Sequence, residues 1–134
     1  TGLLVNWHTQ AMSPQIRIEK NFHSSLEDVL RDVIKTGFWP STYVSDPTPP
    51  PGYHWHNIEV HGYCMEGNTW IGCGETGEKL TIEPGDKLII PPGALHIEGE
   101  SDGPVTYVVT IPDTRSHAEA FQLLPPDHPG RPLD

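Results

Sequence analysis

Residues 85–96 read Gly85-Asp86-Lys87-Leu88-Ile89-Ile90-Pro91-Pro92-Gly93-Ala94-Leu95-His96. Pro84-Gly85 makes a turn, Lys87 to Ile90 make a strand, and Pro91 to Gly93 make a second turn that aims His96. Upstream stands a second dense stretch, His54-Trp55-His56-Asn57-Ile58-Glu59-Val60-His61-Gly62-Tyr63. Residues two apart in a strand share a side, so His54 and His56 face one way and Trp55 the other. Two imidazoles on one strand can reach a single ion at about 2.0 to 2.1 Å. The turn before His96 returns a third imidazole to that pair.

Around these two stretches the chain is punctuated as an antiparallel β protein. The runs TYV, GYCM, TWIG, KLTI, KLII and VTYVVTI are short and rich in β-branched and aromatic residues. They are separated by Glu66-Gly67-Asn68, Glu75-Thr76-Gly77, Pro84-Gly85-Asp86 and Pro92-Gly93. This spacing favours a sandwich or barrel. The segment 46–52 carries too many prolines for a ladder and reads as an extended lead-in. Gly72-Cys73-Gly74-Glu75-Thr76-Gly77 spells GxGxxG, but a strand-like run follows it, so it reads as a hairpin turn and not as a dinucleotide site.

One helix is predicted over 24–36, where Leu26, Val29, Leu30, Val33 and Ile34 recur at helical spacing. Ser24 with Glu27 fits a capping box, and Gly37 suits the position after the last turn. A further short helix is expected near Ala118 to Leu124, followed by an irregular proline-rich end that is either mobile or laid against a neighbouring subunit. The expected organisation is an N-terminal extension over 1–40, a barrel over 41–112 and a C-terminal extension over 113–134.

The 134 residues suit one domain, and the net charge of -10 with no basic stripe argues against nucleic acid and anionic membrane as partners. No apolar run approaches the roughly 20 residues that span a bilayer, and the expected location is cytoplasmic. Cys64 and Cys73 do not form a CxxC pair and read as ordinary reduced thiols. No GxSxG elbow is present, and neither cysteine is placed beside a base, so nucleophilic catalysis has no support and no catalytic residue is assigned.

At Gly85, Pro91, Gly93 and His96, and again at His54, His56 and Gly67, the chain resembles the cupin superfamily. The resemblance covers roughly residues 40 to 112. Its first motif there is Gly, five residues, HxH, three or four residues, Glu, six residues, Gly; its second is Gly, five residues, PxGxxH. The departure lies at the motif's glutamate. A three-residue gap after His56 arrives at Val60, a four-residue gap arrives at His61, and Glu59 comes one residue too early. Glu59 and His61 are both odd-numbered steps from His56 and would face outward in a regular strand unless a bulge resets the phase. The preferred ligand set is His54, His56, His61 and His96, with Glu59 as the alternative to His61, and three histidines completed by water as the third option. Glu98 and Glu100 read as solvated carboxylates at a strand end, with an acid or base at the site's mouth as the sharper alternative.

The resemblance implies a double-stranded β-helix, a jelly-roll barrel of antiparallel strands preceded by a short N-terminal helix. It also implies one divalent transition metal, Fe, Mn, Ni, Cu or Zn, inside the barrel, and a homodimer paired through edge strands. The expected function is that of a mononuclear metal-dependent enzyme of oxygenase, isomerase or lyase type, acting on a small oxygen-rich organic molecule. The rival is a binding or sensor module without catalysis, and a barrel that keeps its motifs without metal is the plainest reading. An open coordination position beside a substrate-sized pocket separates the first from the second.

Overall fold

Alternating apolar residues in short segments bury one face only when two sheets close on each other, and that is what the chain does. A computed structural model describes residues 15–46, 52–113 and 122–132. Its elements are β1 (Arg17–Glu19), α1 (Leu26–Thr36), β2 (Trp39–Ser45), β3 (Val60–Glu66), β4 (Thr69–Cys73), β5 (Lys79–Ile82), β6 (Lys87–Ile90), β7 (His96–Glu98) and β8 (Val105–Ile111). Five strands form one antiparallel sheet in the order β1-β6-β3-β8-β2, and three form the other in the order β5-β4-β7. The architecture is the double-stranded β-helix expected from the sequence. The two strands that the punctuation did not suggest, β1 and β7, are three residues each.

Between the sheets lies the main core, with Val60, Cys64, Ile71, Ile82, Leu88 and Val105 among its buried members. Each large aliphatic side chain buried this way contributes roughly 1.5 to 3 kcal/mol. Gly85 and Gly93 bracket β6 with φ of 101° and 81°, left-handed conformations that a side chain resists. Gly93 has a second reason to lack a Cβ, since that atom would stand 2.7 Å from Pro132.

Helix α1 begins one residue later than the sequence predicts. Ser25, not Ser24, is the N-cap and accepts from the Asp28 backbone N–H, while Asp28 accepts in return from the Ser24 N–H and hydroxyl. Gly37 takes the left-handed C-cap, as expected. Only a narrow stripe of the helix is covered: Val29 and Val33 are buried against Tyr63 on the outer face of the five-stranded sheet. Leu26, Leu30 and Ile34, from the same apolar pattern, are exposed. The docking is fixed by Asp32, which accepts from the Tyr63 hydroxyl and from the Lys87 ammonium, each at 2.5 Å.

The expected helix near Ala118 to Leu124 falls mostly outside the described residues, and the part within is extended. Leu124 pairs with Trp55 in both directions, N–H to carbonyl, at 3.1 and 3.2 Å. Trp55 Nε1 donates to the Pro125 carbonyl at 2.8 Å, and Arg131 Nε donates to the Gly93 carbonyl at 3.0 Å. The described part of the proline-rich end is therefore laid on its own barrel, through backbone carbonyls and the Trp55 and Arg131 side chains.

Candidate metal centre

The phase of the chain decides which side chains point into the barrel. From His54 through His56, Ile58, Val60 and Gly62 to Cys64, every second residue is buried in the core or lines its cavity. The bend at Asn57 and Ile58 leaves that alternation unbroken. On the facing sheet, His96 and Glu98 stand opposite Cys73 and Ile71 and share their inward face. A direct backbone bridge, His54 N–H to His96 carbonyl and the reverse at 2.9 Å each, holds the two sides together.

His54, His56, His96 and Glu98 meet at this bridge, with one ligand atom from each within 4.8 Å of all the others. His54 Nε2 lies 3.3 Å from Glu98 Oε2, and His96 Nε2 lies 3.8 Å from Glu98 Oε1. Ligand atoms at about 2.05 Å from one ion stand roughly 2.9 to 4.1 Å apart, whether the ion is four- or six-coordinate, so these separations fit a shared ion. Each imidazole has its Nδ1 on a backbone carbonyl: His54 on Gly52 at 2.8 Å, His96 on Ala94 at 2.8 Å and His56 on Gln122 at 3.3 Å. At His54 and His96 such bonds fix the tautomer that turns an unprotonated Nε2 toward the cluster. The Nε2 atoms of His54 and His96 and Oε2 of Glu98 are closed off from solvent without any hydrogen-bond partner. Buried polar atoms are seldom left so, and a cation is the group this set fits.

The electrostatics point the same way. Burial, together with the charges of His96 and His54, pushes His56 down to about 4, and burial also lowers His96. Burial would raise Glu98, but His54 and His96 outweigh it and hold the carboxyl at about 2. Burial would lower His54, but the Glu98 carboxylate beside it raises it overall. At neutral pH the site thus offers an ionised carboxylate beside neutral imidazoles at His56 and His96, the forms a metal takes.

The structure brings three of the four expected ligands together and places the other candidates elsewhere. His61 and Glu59 are not in the cluster. No bulge resets the phase before β3, so His61 points to the opposite face of the sheet, where its Nε2 meets Glu59 Oε2 at 2.6 Å and its ring stacks on Phe38 at 4.4 Å. The carboxylate that joins the three histidines is Glu98, which reads in the sequence as a strand-end group. The signal for it was present: His96-Ile97-Glu98 has the same two-residue spacing as His54-Trp55-His56. Glu100 stays exposed at the strand end.

The cluster opens onto a cavity of about 470 Å³ that His56 and Glu98 line from one end. Its walls come from both sheets, with residues of β2, β3, β4, β6 and β8 among them. Tyr107 lines it as well, whereas Tyr63 is buried under the helix and Tyr53 is exposed.

No family model matches the sequence, and no curated protein matches it. Among solved structures the chain is similar to a DUF861 family protein from Thermotoga maritima, with TM-score 0.53 and 18% identity over 72% of this chain and 99% of that one. It is also similar to acireductone dioxygenase from Bacillus anthracis with a cadmium ion in its active centre, with TM-score 0.53 and 14% identity over 83% and 84% of the two chains. A third match is YcfD, a ribosomal oxygenase from Escherichia coli in complex with cobalt and 2-oxoglutarate, with TM-score 0.51 and 22% identity over 68% of this chain and 28% of that one. These likenesses show the fold alone, the double-stranded β-helix described above.

Proposed function

We propose that His54, His56, His96 and Glu98 hold one divalent transition metal and that the protein is a metal-dependent enzyme acting on a small organic molecule that offers oxygen to the metal. The observation that carries this reading is the position of the cluster. Three buried imidazoles and a carboxylate, with two Nε2 atoms and a carboxylate oxygen unpartnered, stand at the end of a cavity of substrate size. Three imidazoles and one carboxylate suit Mn, Fe, Ni and Zn better than a thiolate-loving ion. A six-coordinate ion on four protein ligands keeps two positions for substrate, and its chemistry there is polarisation of a bound oxygen or redox exchange.

The protein's own groups supply the rest. The carbonyls of Gly52, Ala94 and Gln122 orient the imidazoles, and a largely apolar wall stands beside them. Edge strand β2, with Trp39, Tyr43 and Val44 exposed, supports a homodimer. No helix among the described residues is long and apolar enough to cross a membrane.

Elemental analysis of untagged protein purified without chelator, beside His54→Ala and His96→Ala, tests the site. Near-stoichiometric metal in the wild type and its loss from both variants is the expected result. Full metal in either variant, or none in any sample after reconstitution, would overturn it.

A further inference from the structure

Tyr107 stands opposite Cys64 in the β3–β8 ladder, on the same side of β8 as the buried Val105 and Val109. Its ring therefore projects between the two sheets and lines the cavity. Gly62, beside it on β3, has no side chain to occupy the space at the ring, and even a Cβ there would touch Tyr107 Cδ1 at 3.5 Å. Tyr43 borders the ring from β2, with centroids 6.5 Å apart.

A buried tyrosine ordinarily gives its hydroxyl to a protein acceptor. Tyr63 does so, donating to Asp32 under the helix. The Tyr107 hydroxyl bonds to no described residue, and it is not among the atoms sealed from solvent, as Nε2 of His54 and His96 are. It is deep all the same. Burial raises the phenol well above its ordinary value, and Cys64, Glu98 and Tyr43 raise it further. The hydroxyl thus holds its proton across the neutral range and is a donor. The Glu98 charge is among those it feels, so hydroxyl and cluster look into one cavity.

A donor in this position is matched by water or by whatever takes the water's place, because leaving it unmatched costs the bond that water gave. Glu98 is the acceptor nearest in kind, but its oxygens are turned to His54 and His96, at 3.3 and 3.8 Å. The acceptor must then arrive with the ligand. A molecule that presents an oxygen to Tyr107 replaces the water without loss, and one that presents hydrocarbon does not.

We propose that Tyr107 is a specificity-determining residue whose hydroxyl donates a hydrogen bond to an oxygen of the molecule bound at the histidine and carboxylate cluster. The proposal rests on the metal reading above in one respect, that the molecule is seated at that end of the cavity.

The test uses full-length, Zn(II)-loaded protein with its tyrosines labelled by carbon-13 at Cζ, a nucleus that responds to what the hydroxyl bonds. The probe is acetohydroxamate, a small molecule that offers two oxygens to a metal. The chain has 4 tyrosines, and the signal missing from Tyr107→Phe identifies that residue. Acetohydroxamate is expected to move the Tyr107 signal and to leave those of Tyr53 and Tyr63 in place. By calorimetry, Tyr107→Phe should bind zinc as the wild type does and weaken acetohydroxamate about tenfold, the loss of one hydrogen bond to a charged oxygen.

A Tyr107 signal that stays still while the probe binds overturns the proposal, and so does equal binding of the probe by Tyr107→Phe. Zinc-loaded protein that ignores the probe overturns it too. Loss of zinc in Tyr107→Phe would show that the hydroxyl supports the site's structure and not its ligand, and overturns it likewise. Protein that takes up no zinc, or takes it up equally in His54→Ala, defeats the metal reading instead. The Tyr107 signal is then read with the probe on metal-free protein, where movement sustains the donor and stillness overturns it.

Discussion

A histidine and carboxylate cluster lies on each side of the five-stranded sheet, one held by β7 of the facing sheet and the His54–His56 segment, the other under α1, and the two are built on different principles. On the inner face, His54 and His96 both turn Nε2 toward the Glu98 carboxylate, at 3.3 and 3.8 Å, without a hydrogen bond of good geometry. On the outer face, Asp32 accepts from Lys87 and Tyr63, and Glu59 meets His61. The first set converges on a point from backbone-anchored imidazoles. The second pairs off its charges and thereby fastens α1 to the sheet. Convergence without pairing marks a place for a ligand, and mutual pairing marks a structural joint, although both are rich in the same residue types.

The comparison breaks hardest if the metal follows the wrong histidine. His54→Ala and His96→Ala should each lower metal affinity by more than about 100-fold, since each removes a coordinating atom, while His61→Ala should leave it within about twofold. Calorimetric titration with Zn(II) or Mn(II) reads both. Glu98→Gln is the sharper variant, because it keeps the shape and removes the charge, and it should fall between these limits. Metal loss on His61→Ala with retention in Glu98→Gln would return the assignment to the sequence expectation.

The joint should show the converse. Asp32→Ala leaves the Lys87 ammonium, whose side chain is only 9% exposed, without its carboxylate. Breaking a buried pair from one side costs about 3 to 5 kcal/mol, discounted here toward the lower figure because Asp32 is 17% exposed. Urea denaturation should therefore show a loss of about 3 kcal/mol with metal binding intact.

This contrast also explains what the sequence could and could not say. Strand parity read from the sequence already placed His61 and Glu59 outward. The motif's glutamate position argued for His61 against that parity, and parity was right because no bulge precedes β3. Applied to the second motif, the same rule gives Glu98 two residues after His96. It was obscured because β7 is three residues long and has too little alternation to announce itself. The turns at Gly85 and Gly93 were legible because a left-handed backbone leaves a residue-type signature. The C-terminal strap was not legible, because its contacts run from backbone carbonyls of Gln122, Leu124 and Pro125 that any sequence would supply. Which part of the helix stripe is covered was also hidden, because five apolar positions compete and only Val29 and Val33 find a partner.

Acid should separate the two clusters by stability. Burial would raise Asp32, but hydrogen bonds from Lys87 and Tyr63 and the Lys87 charge outweigh it, and its carboxyl sits below the usual range. A depressed folded-state value means that the unfolded chain takes up the proton first. The contribution is complete above the unfolded value near pH 3.9 and is lost as pH falls through the folded one. Asp86 behaves alike, held down by Lys20 and by the backbone N–H groups of Glu83 and Asn21 against the upward push of burial. Urea midpoints measured on metal-free protein from pH 7 to pH 3 should fall below about pH 4. The fall should be shallower in Asp32→Asn, and an unchanged slope in that variant would place the acid sensitivity on Asp86 alone.

The smallest expected effect comes from the chain's own strap and bears on whether the inner cluster is complete without it. The Gln122 carbonyl is the Nδ1 partner of His56, at 3.3 Å the longest of the three such contacts, and the strap is seated by the Trp55–Leu124 pairing and by Arg131 on Gly93. Losing an orienting partner of a metal-bound histidine costs about 10- to 100-fold in affinity, and a long bond belongs at the lower end. Deletion of residues 122–134 should therefore weaken metal binding about tenfold, against complete loss for His54→Ala. Trp55→Phe removes the donor to Pro125 together with part of the indole's bulk and leaves Gln122 in the chain, so it loosens the strap without deleting it. If it costs about 1 kcal/mol of stability with metal affinity nearly unchanged, while the deletion costs about tenfold in affinity, the strap acts on His56 through Gln122 itself. Equal affinity losses in both would mean that the strap acts by holding the barrel mouth together, and the orienting role would pass to Gly52 and Ala94 alone.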